Sequence, residues 1–196
     1  MLDDDQLMIA IQSGDSAAFD ELVDRYERSL IGFFFHNLRD IQLAEDLTQE
    51  TLLKVYHQAW DYLPLGSFKG WLFRIARNLM IDDIRKRSHD ALIKAVKGSL
   101  PGEDDPLTRL VGRVAPPDAA IDGAELSGII GELLGEIPED QRLTFVLHHH
   151  SELPLAEVAR IMEVTEPTTK SRLRLAREKL QEKLRVRGLA PSECET

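Results

Sequence analysis

A dense run of basic and hydroxyl side chains lies between residues 168 and 179, and its chemistry suits a nucleic acid. Its members are Thr168, Lys170, Ser171, Arg172, Arg174, Arg177 and Lys179. Guanidinium and ammonium groups pair with phosphate oxygens, and Arg, Ser and Thr side chains also bond to base edges. On a helix, the members at 168, 171, 172 and 174 face outward and the others flank them. The run indicates DNA binding, and a solvated face of an ordinary amphipathic helix is the alternative.

Two helices joined by a short turn are predicted around this run, over LPLAEVARIMEVTEPTTKSRLRLAREKL at residues 153–180. Pro167 suits the first turn of the second helix, where a missing N–H is tolerated. The inward stripe of that helix is Thr169, Leu173, Ala176, Leu180 and Leu184. A short helix, a turn and a basic second helix predict a helix-turn-helix, whose second helix enters the major groove.

A second candidate site is the segment GWLFRIARNLMIDDIRKR at residues 70–87. Helical projection gathers Leu72, Ile75, Ala76 and Leu79 on one side as the buried face. The opposite face holds Trp71, Arg74, Asn78, Ile81 and Arg85. An aromatic ring can stack on an unpaired base while guanidiniums hold phosphates. A core helix with solvated arginines explains this segment equally well from its residues alone.

The charge distribution permits such sites, although the whole chain of 196 residues has a formal net charge of −10. Residues 65–97 and 168–187 each hold eight basic side chains, whereas residues 1–60 and 101–140 are acidic. A nucleic-acid-binding protein needs local basic patches and not a basic average. The acidic remainder of the chain would weaken nonspecific binding to nucleic acid.

Several other classes of function are disfavoured by the composition. The chain has one cysteine, Cys194, and no apolar run of the roughly 18 residues that a membrane span needs. Its acidic start is unlike a signal peptide, so we expect a cytoplasmic protein without membrane insertion. Consecutive histidines on a helix point about 100° apart, so His148–His150 cannot chelate one ion well. We expect no metal, no cofactor and no catalysis.

The periodicity predicts an all-α fold of two small helical domains joined by a flexible acidic linker. Helices are expected over residues 15–38, with Asp15 as N-cap, over 40–60, and from about 122 to 187. In the helix over 40–60, the buried side is expected to hold Ala44, Leu47, Thr51 and Val55. Pro, Gly and acidic residues concentrate in residues 90–121, which we interpret as the linker. The predicted domains are residues 1–89 and 122–187, and residues 188–196 form a polar tail.

Four segments in this order resemble the extracytoplasmic-function (ECF) group of bacterial sigma factors: GDSAAFDELVDRY, DLTQETLLKVY, FKGWLFRIARNLMIDDIRKR and LAEVARIMEVTEPTTKSRLRLAREKL. The resemblance implies that residues 1–89 dock on core RNA polymerase and recognise and melt the promoter −10 element. Residues 122–187 would read the −35 element through the helix-turn-helix. The implied partners are core RNA polymerase, promoter DNA and an anti-sigma factor.

The resemblance also implies roles for individual residues. Asp46, Gln49 and Glu50 would dock on clamp helices of the polymerase's largest subunit, with Leu53 exposed among them. The loop 65–69, including Ser67, Phe68 and Lys69, would capture an extruded base. Trp71, Arg74, Asn78 and Arg85 would follow the non-template strand, and the run from Thr168 to Lys179 would contact the −35 duplex.

The chain departs from the family pattern at the turn of the predicted helix-turn-helix. Family members often have Gly where this chain has Glu163, and a left-handed backbone there costs Glu about 1 kcal/mol. Pro167 and Thr169 replace a common Gly and a β-branched apolar residue. A competing function is a non-sigma helix-turn-helix regulator whose first 89 residues form a sensor or dimerisation domain, and a metal nuclease is a more distant one.

Overall fold

The computed structural model describes residues 2–64, 67–96 and 124–189, without the side chains of 92, 94–96 and 124–128. In chain order its helices are α1 (Asp4–Gln12), α2 (Ser16–Leu38), α3 (Ile41–Gln58), α4 (Phe68–Val96), α5 (Ala124–Gly135), α6 (Glu139–His149), α7 (Leu155–Met162) and α8 (Glu166–Val186), and a short 3₁₀ turn, Ala59–Asp61, follows α3. No strand occurs in the ranges just given, so the predicted all-α class is confirmed.

The first group of helices, α1 to α4, packs around an aromatic and aliphatic core. α2 contributes Phe33 and Phe34, which are fully buried, and Phe33 meets Phe73 of α4 edge to face at 5.4 Å between ring centroids. The expected cap of α2 is confirmed, because the Asp15 carboxylate accepts a hydrogen bond from the N–H of Ala17 at 2.9 Å. α2 and α3 are therefore fixed against each other by their apolar faces, which leaves one side of α3 free for solvent.

The second group, α5 to α8, contains the predicted helix-turn-helix in α7 and α8. Four members of the predicted inward stripe of α8 are buried, namely Thr169, Leu173, Ala176 and Leu180, and Leu184 is half-buried. Side chains of α5 and α6, including Leu133, Leu134, Val146 and Leu147, complete this core. The buried stripe fixes which side of α8 faces outward.

Helix α4 continues beyond the residue at which we predicted that the linker begins. It ends at Val96, whereas the predicted linker spans 90–121, most of which lies outside the described residues. The two groups of helices also contact each other: α2 lies against α5 and α6, and α4 lies against α7. The prediction of two domains on a flexible linker did not anticipate this contact.

Candidate nucleic-acid interface

The start of α8 is fixed by its own capping groups. The Thr165 hydroxyl lies 2.9 Å from the Thr168 hydroxyl and 3.4 Å from the Thr168 amide nitrogen, which donates to it. Pro167 stands in the first turn, as predicted. The preceding helix α7 ends at Met162, and the capping residue Glu163 after it has a left-handed backbone with φ 56° and ψ 40°, so the turn has the geometry for which Gly is favoured.

Among the predicted −35 residues, Thr168, Lys170 and Ser171 are exposed at the start of α8, Arg174 and Arg177 are exposed further along it, and Arg172 is half-buried. The arginines have intramolecular partners. Arg172 Nη2 lies 2.6 Å from Asp140 Oδ2 of α6, and Arg174 Nη1 lies 2.5 Å from Glu178 Oε1. These ion pairs lie at the surface, where such pairs contribute about 0–1 kcal/mol, so phosphates can replace the carboxylates at small cost.

The distal part of this surface combines Arg177 with a neutral imidazole. Arg177 donates from Nε and lies within 3.2 Å of His149 Nε2, which accepts. Burial, His148 and Arg177 together lower the pKa of His149 below its ordinary value. Lys179 is half-buried on the flank of the helix. The basic face thus runs along the first four turns of α8.

The predicted −10 face of α4 is partly exposed. Arg74, Asn78 and Arg85 are exposed on it, and Arg74 forms no ion pair with any residue that the structure describes. Trp71 is half-buried, and its ring packs 5.0 Å from Tyr62 and 5.8 Å from Phe68. The indole is therefore held in place, with part of its surface available for stacking.

The residues of the predicted base-capturing loop, 65–69, differ in their exposure. Leu65 and Gly66 lie outside the described residues. Ser67 is exposed, and its hydroxyl accepts a hydrogen bond from the Gly70 amide at 3.1 Å, which holds the first turn of α4. Phe68 is only 3% exposed. Its ring belongs to the core between Tyr26 and Tyr62, so a base could reach it only if the loop rearranged.

The predicted polymerase-docking face of α3 is exposed as a continuous strip. Asp46, Gln49 and Glu50 are exposed, and Leu53 is 56% exposed beside them. The opposite side of α3 holds the buried residues Ala44, Leu47, Thr51 and Val55, as the periodicity predicted. The strip continues onto Tyr56 and Trp60, which are 48% and 67% exposed. Exposed apolar residues beside carboxylates suit a partner with both apolar and basic side chains.

The three consecutive histidines point to three different neighbours. His148 Nδ1 lies 2.9 Å from the Leu153 carbonyl, His149 accepts from Arg177, and His150 Nε2 lies 3.3 Å from the Ser29 carbonyl of α2. Within the described ranges, no group of three potential metal ligands converges. The same part of the chain contains no helix long and apolar enough to cross a membrane.

Sequence reasoning missed the residues that join the two groups of helices, above all Glu152 and Glu157. Lys69 Nζ lies 3.5 Å from Glu152 Oε2, and the Glu157 carboxylate lies against Gly70. One signal was present in the sequence: Gly32 stands inside the long helix α2, in the apolar segment 30–35, where it costs about 1 kcal/mol relative to Ala. Such a glycine indicates a close approach by another element.

Known proteins resemble the chain along most of its length. The family model for Sigma-70 region 2 matches residues 22–89, and that for Sigma-70, region 4 matches residues 127–180. The ECF RNA polymerase sigma factor SigW of Bacillus subtilis is 31% identical over 89% of this chain and 93% of its own length. The RNA polymerase sigma-H factor of Pseudomonas aeruginosa is 28% identical over 92% and 93% of the two chains.

Solved structures agree with these sequence relatives. The sigma factor RpoE from Bartonella quintana, solved in complex with the anti-sigma factor NepR, has a TM-score of 0.68 and is 26% identical to this chain. The match covers 86% of this chain and 97% of that one. The order of regions, the coverage of whole relatives and the helix-turn-helix together confirm the predicted family: the chain belongs to the ECF RNA polymerase sigma factors.

Proposed function

We propose that this sigma factor docks on core RNA polymerase through the exposed strip of α3 and directs it to promoters with two separate DNA-binding helices. The observation that carries the proposal is the outward face of α8. Thr168, Lys170 and Ser171 stand exposed at the capped start of the second helix of a helix-turn-helix. In that motif the N-terminal residues of the second helix reach base edges, which suits reading of the −35 duplex.

Helix α4 has the chemistry to hold the separated −10 strand. Arg74 and Arg85 are exposed guanidiniums that can bind phosphates, and Trp71 between them and the loop offers a ring face. Unstacking a base costs a few kcal/mol, which phosphate contacts and a base-binding pocket can offset. We assign melting to this helix, and the protein itself performs no catalysis.

The exposed strip of α3 supports docking because it combines charge with uncovered apolar surface. Asp46 and Glu50 are exposed, and no ion pair within the described ranges engages either carboxylate. Leu53 lies next to them with more than half of its surface in solvent. A basic helix with apolar side chains is the complementary partner, and the clamp helices of the polymerase are the element that we assign to it.

An anti-sigma factor is the third partner that we propose. The support is the structural relative RpoE, which was solved bound to the anti-sigma factor NepR and shares 97% of its length with this fold. Such a partner would compete for surfaces that polymerase or promoter DNA needs.

The direct test is run-off transcription with core polymerase and genomic DNA fragments. The wild-type chain should yield discrete promoter-specific products that core polymerase alone does not yield. Asp46→Lys combined with Glu50→Lys should abolish both the products and core binding in a pull-down, because both changes repel a basic partner. The matched control is Asp24→Lys with Glu27→Lys, since these acids are also exposed, lie on α2 and give the same charge change.

Two results would remove the proposal. Sequence-specific DNA binding by the chain alone, without transcripts when core polymerase is added, would favour the regulator alternative. Equal loss of core binding in the test and control variants would show that overall charge and not the α3 strip determines docking.

A further inference from the structure

Helix α1 precedes residues 22–89, which the Sigma-70 region 2 model matches. Its apolar side packs into the first group of helices, where Leu7 and Met8 are fully buried. Its first turn also holds two half-buried carboxylates, Asp4 and Asp5. Burial of a carboxylate is costly unless the group is paired or hydrogen-bonded, so the partners of these two carboxylates indicate the function of the turn.

Each of the two carboxylates accepts a hydrogen bond from a tyrosine hydroxyl. The Tyr26 hydroxyl donates to Asp4 Oδ2 at 2.5 Å, and the Tyr62 hydroxyl donates to Asp5 Oδ1 at 2.5 Å. Asp4 is itself oriented by Arg25, whose guanidinium lies 2.6 Å from the other carboxylate oxygen. Burial and the hydrogen bond to the carboxylate raise the pKa of both phenols above the ordinary value. The two phenols therefore stay protonated and act as donors.

Tyr62 is held by α1 at a second point. The Gln12 side-chain amide donates to the Tyr62 carbonyl at 3.0 Å and to the Ala59 carbonyl at 2.7 Å. Asp5 and Gln12 are about two turns apart on one face of α1, so one helix fixes both the hydroxyl and the backbone of Tyr62. The 3₁₀ turn between α3 and this tyrosine is fixed at the same time.

The two tyrosine rings pack against the aromatic residues that begin α4. Both rings contact Phe68, with centroid distances of 5.5 Å from Tyr26 and 5.8 Å from Tyr62. The Tyr62 ring also lies 5.0 Å from the Trp71 ring. Tyr26, Tyr62 and Phe68 are buried, whereas Trp71 is half-buried. Of these four rings, the indole is thus the one that a DNA base can reach.

We propose that Asp4 and Asp5 are positioning residues for promoter opening, because through Tyr26 and Tyr62 they hold the Trp71 indole in place for stacking on an unpaired base. This inference rests on the proposed function, since α4 must be the helix that binds the separated strand. An aromatic side chain that is ordered only on binding loses part of the gain from stacking. The aromatic cluster removes that cost before DNA arrives, without any contact between α1 and DNA.

The first test measures binding of the separated strand by holoenzyme, which is assembled from core polymerase and the full chain. The probe is a fluorescent single strand with the −10 sequence of a promoter recovered by run-off transcription. Asp5→Ala should weaken its binding roughly tenfold, because loss of a charged acceptor releases the Tyr62 hydroxyl. Asp5→Asn keeps an acceptor oxygen and should retain most of the affinity. Affinity for core polymerase and for the −35 duplex should not change.

The matched control is Asp3→Ala, which removes the same charge two positions away. The Asp3 carboxylate caps α1 by accepting from the Gln6 amide at 2.8 Å, and within the described residues it bonds to neither tyrosine. Asp3→Ala therefore weakens the helix but should leave strand binding close to that of wild type. A double mutant separates transmitted from independent effects: in a Tyr62→Phe background, Asp5→Ala should cause no further loss of strand affinity.

The second test needs no DNA and reports on the indole itself. The chain has two tryptophans, so Trp60→Phe leaves Trp71 as the single emitter. In this background, Asp5→Ala should increase acrylamide quenching of the free chain, because the Tyr62 ring is no longer fixed beside the indole. Asp3→Ala and Asp5→Asn should leave the quenching unchanged.

Three results would overturn the inference. Equal losses of strand affinity in Asp3→Ala and Asp5→Ala would show that α1 contributes stability alone. A further loss from Asp5→Ala in the Tyr62→Phe background would show that Asp5 acts by another route. If Asp5→Ala loses its helical signal, Tyr62→Phe decides, and wild-type strand affinity in that variant would remove the positioning role. Failure of the proposed function is distinct: the wild-type holoenzyme would not bind the strand, whereas Trp71 quenching would still respond to Asp5→Ala.

Discussion

Replacing Glu163 by Gly should stabilise the helix-turn-helix, because this residue caps the C-terminus of α7 in a conformation that suits glycine. Its φ of 56° and ψ of 40° are left-handed. Two backbone bonds close the turn: the Glu163 N–H donates to the Arg160 carbonyl at 3.3 Å and the Val164 N–H to the Ala159 carbonyl at 3.0 Å. This is the pattern of a Schellman cap, which glycine favours. The substitution retains both bonds and removes only the clash of Cβ with the backbone.

The expected gain follows from two opposing terms. A left-handed backbone costs a non-glycine residue about 1–2 kcal/mol. Glycine also gives the unfolded chain more conformational freedom, which lowers the free energy of unfolding by about 0.4–1 kcal/mol and offsets part of that gain. The Glu163 side chain is exposed and has no hydrogen bond or ion pair to the residues that the structure describes. We therefore expect a net increase of about 0.5–1 kcal/mol in the free energy of unfolding.

Urea unfolding of the full chain, followed by circular dichroism, measures this change. With a slope of about 2 kcal/mol per molar urea, the midpoint should rise by about 0.3–0.5 M. Glu163→Ala is the decisive comparison, since it removes the carboxylate but retains Cβ and should give no such rise. Arg39→Gly, also at a left-handed position, should give no net gain because its guanidinium packs on Gly131 and 5.6 Å from the Phe35 centroid. Equal midpoints for Glu163→Gly and Glu163→Ala would refute the reasoning.

Two further predictions concern DNA binding and pH. Arg74→Ala with Asn78→Ala should impair opening but spare −35 duplex binding, whereas Arg172→Ala with Arg174→Ala should weaken that duplex binding by about 1–3 kcal/mol per lost base contact. The test is to measure the affinity of each double variant for the cognate −35 duplex and a scrambled duplex at several salt concentrations, and to score promoter opening on closed duplex and on a pre-melted bubble. Equal defects of the Arg74/Asn78 variant on the closed duplex and the bubble would contradict the prediction. Burial, and then the facing charges of His150 and Arg39, lower the pKa of His36 to about 4. In the unfolded chain the pKa of His36 is about 6.5, so between about pH 6.5 and 4 the unfolded chain binds more protons than the folded one. The contribution of His36 to the free energy of unfolding is therefore constant above about pH 6.5 and decreases as the pH falls. At pH 5 the loss from this group is about 2 kcal/mol. Urea midpoints from pH 7 to 5 measure the fall, and a His36→Gln variant that keeps the full wild-type dependence would show that His36 is not its origin.

The helices and their buried faces were predictable because the spacing of apolar residues along a helix indicates which of its sides is buried. The cap at Asp15, the inward stripe of α8 and the buried side of α3 all agree with the structure. Each depends on residues within one helix, where the spacing of about 3.6 residues per turn determines which side chains share a face.

The features that sequence reasoning missed depend on contacts between distant segments. Phe68 was expected in an open loop, yet its ring packs with Tyr26 and Tyr62. The ion pair between Arg172 and Asp140 joins residues 32 positions apart, and the contact of His150 with Gly32 joins the two groups of helices. Hydrophobic periodicity carries no information about such pairs, because it classifies each side chain as polar or apolar without regard to the distant residue that it contacts.

The ion pairs of α8 bear on why an acidic protein carries a basic recognition helix. Arg172 and Arg174 are both paired with carboxylates in the structure, so under the proposed function DNA phosphates would replace carboxylate partners that are already present. Each such exchange subtracts up to about 1 kcal/mol from a phosphate contact, and fewer counterions are released on binding than the number of basic residues suggests. Free sigma factor should therefore bind duplex DNA weakly. Docking on polymerase changes this balance, because a tethered α8 meets its duplex at a high effective concentration without any new contact. We therefore expect −35 reading by α8 to depend on attachment to polymerase, and the acids that pair with its arginines to contribute to this dependence.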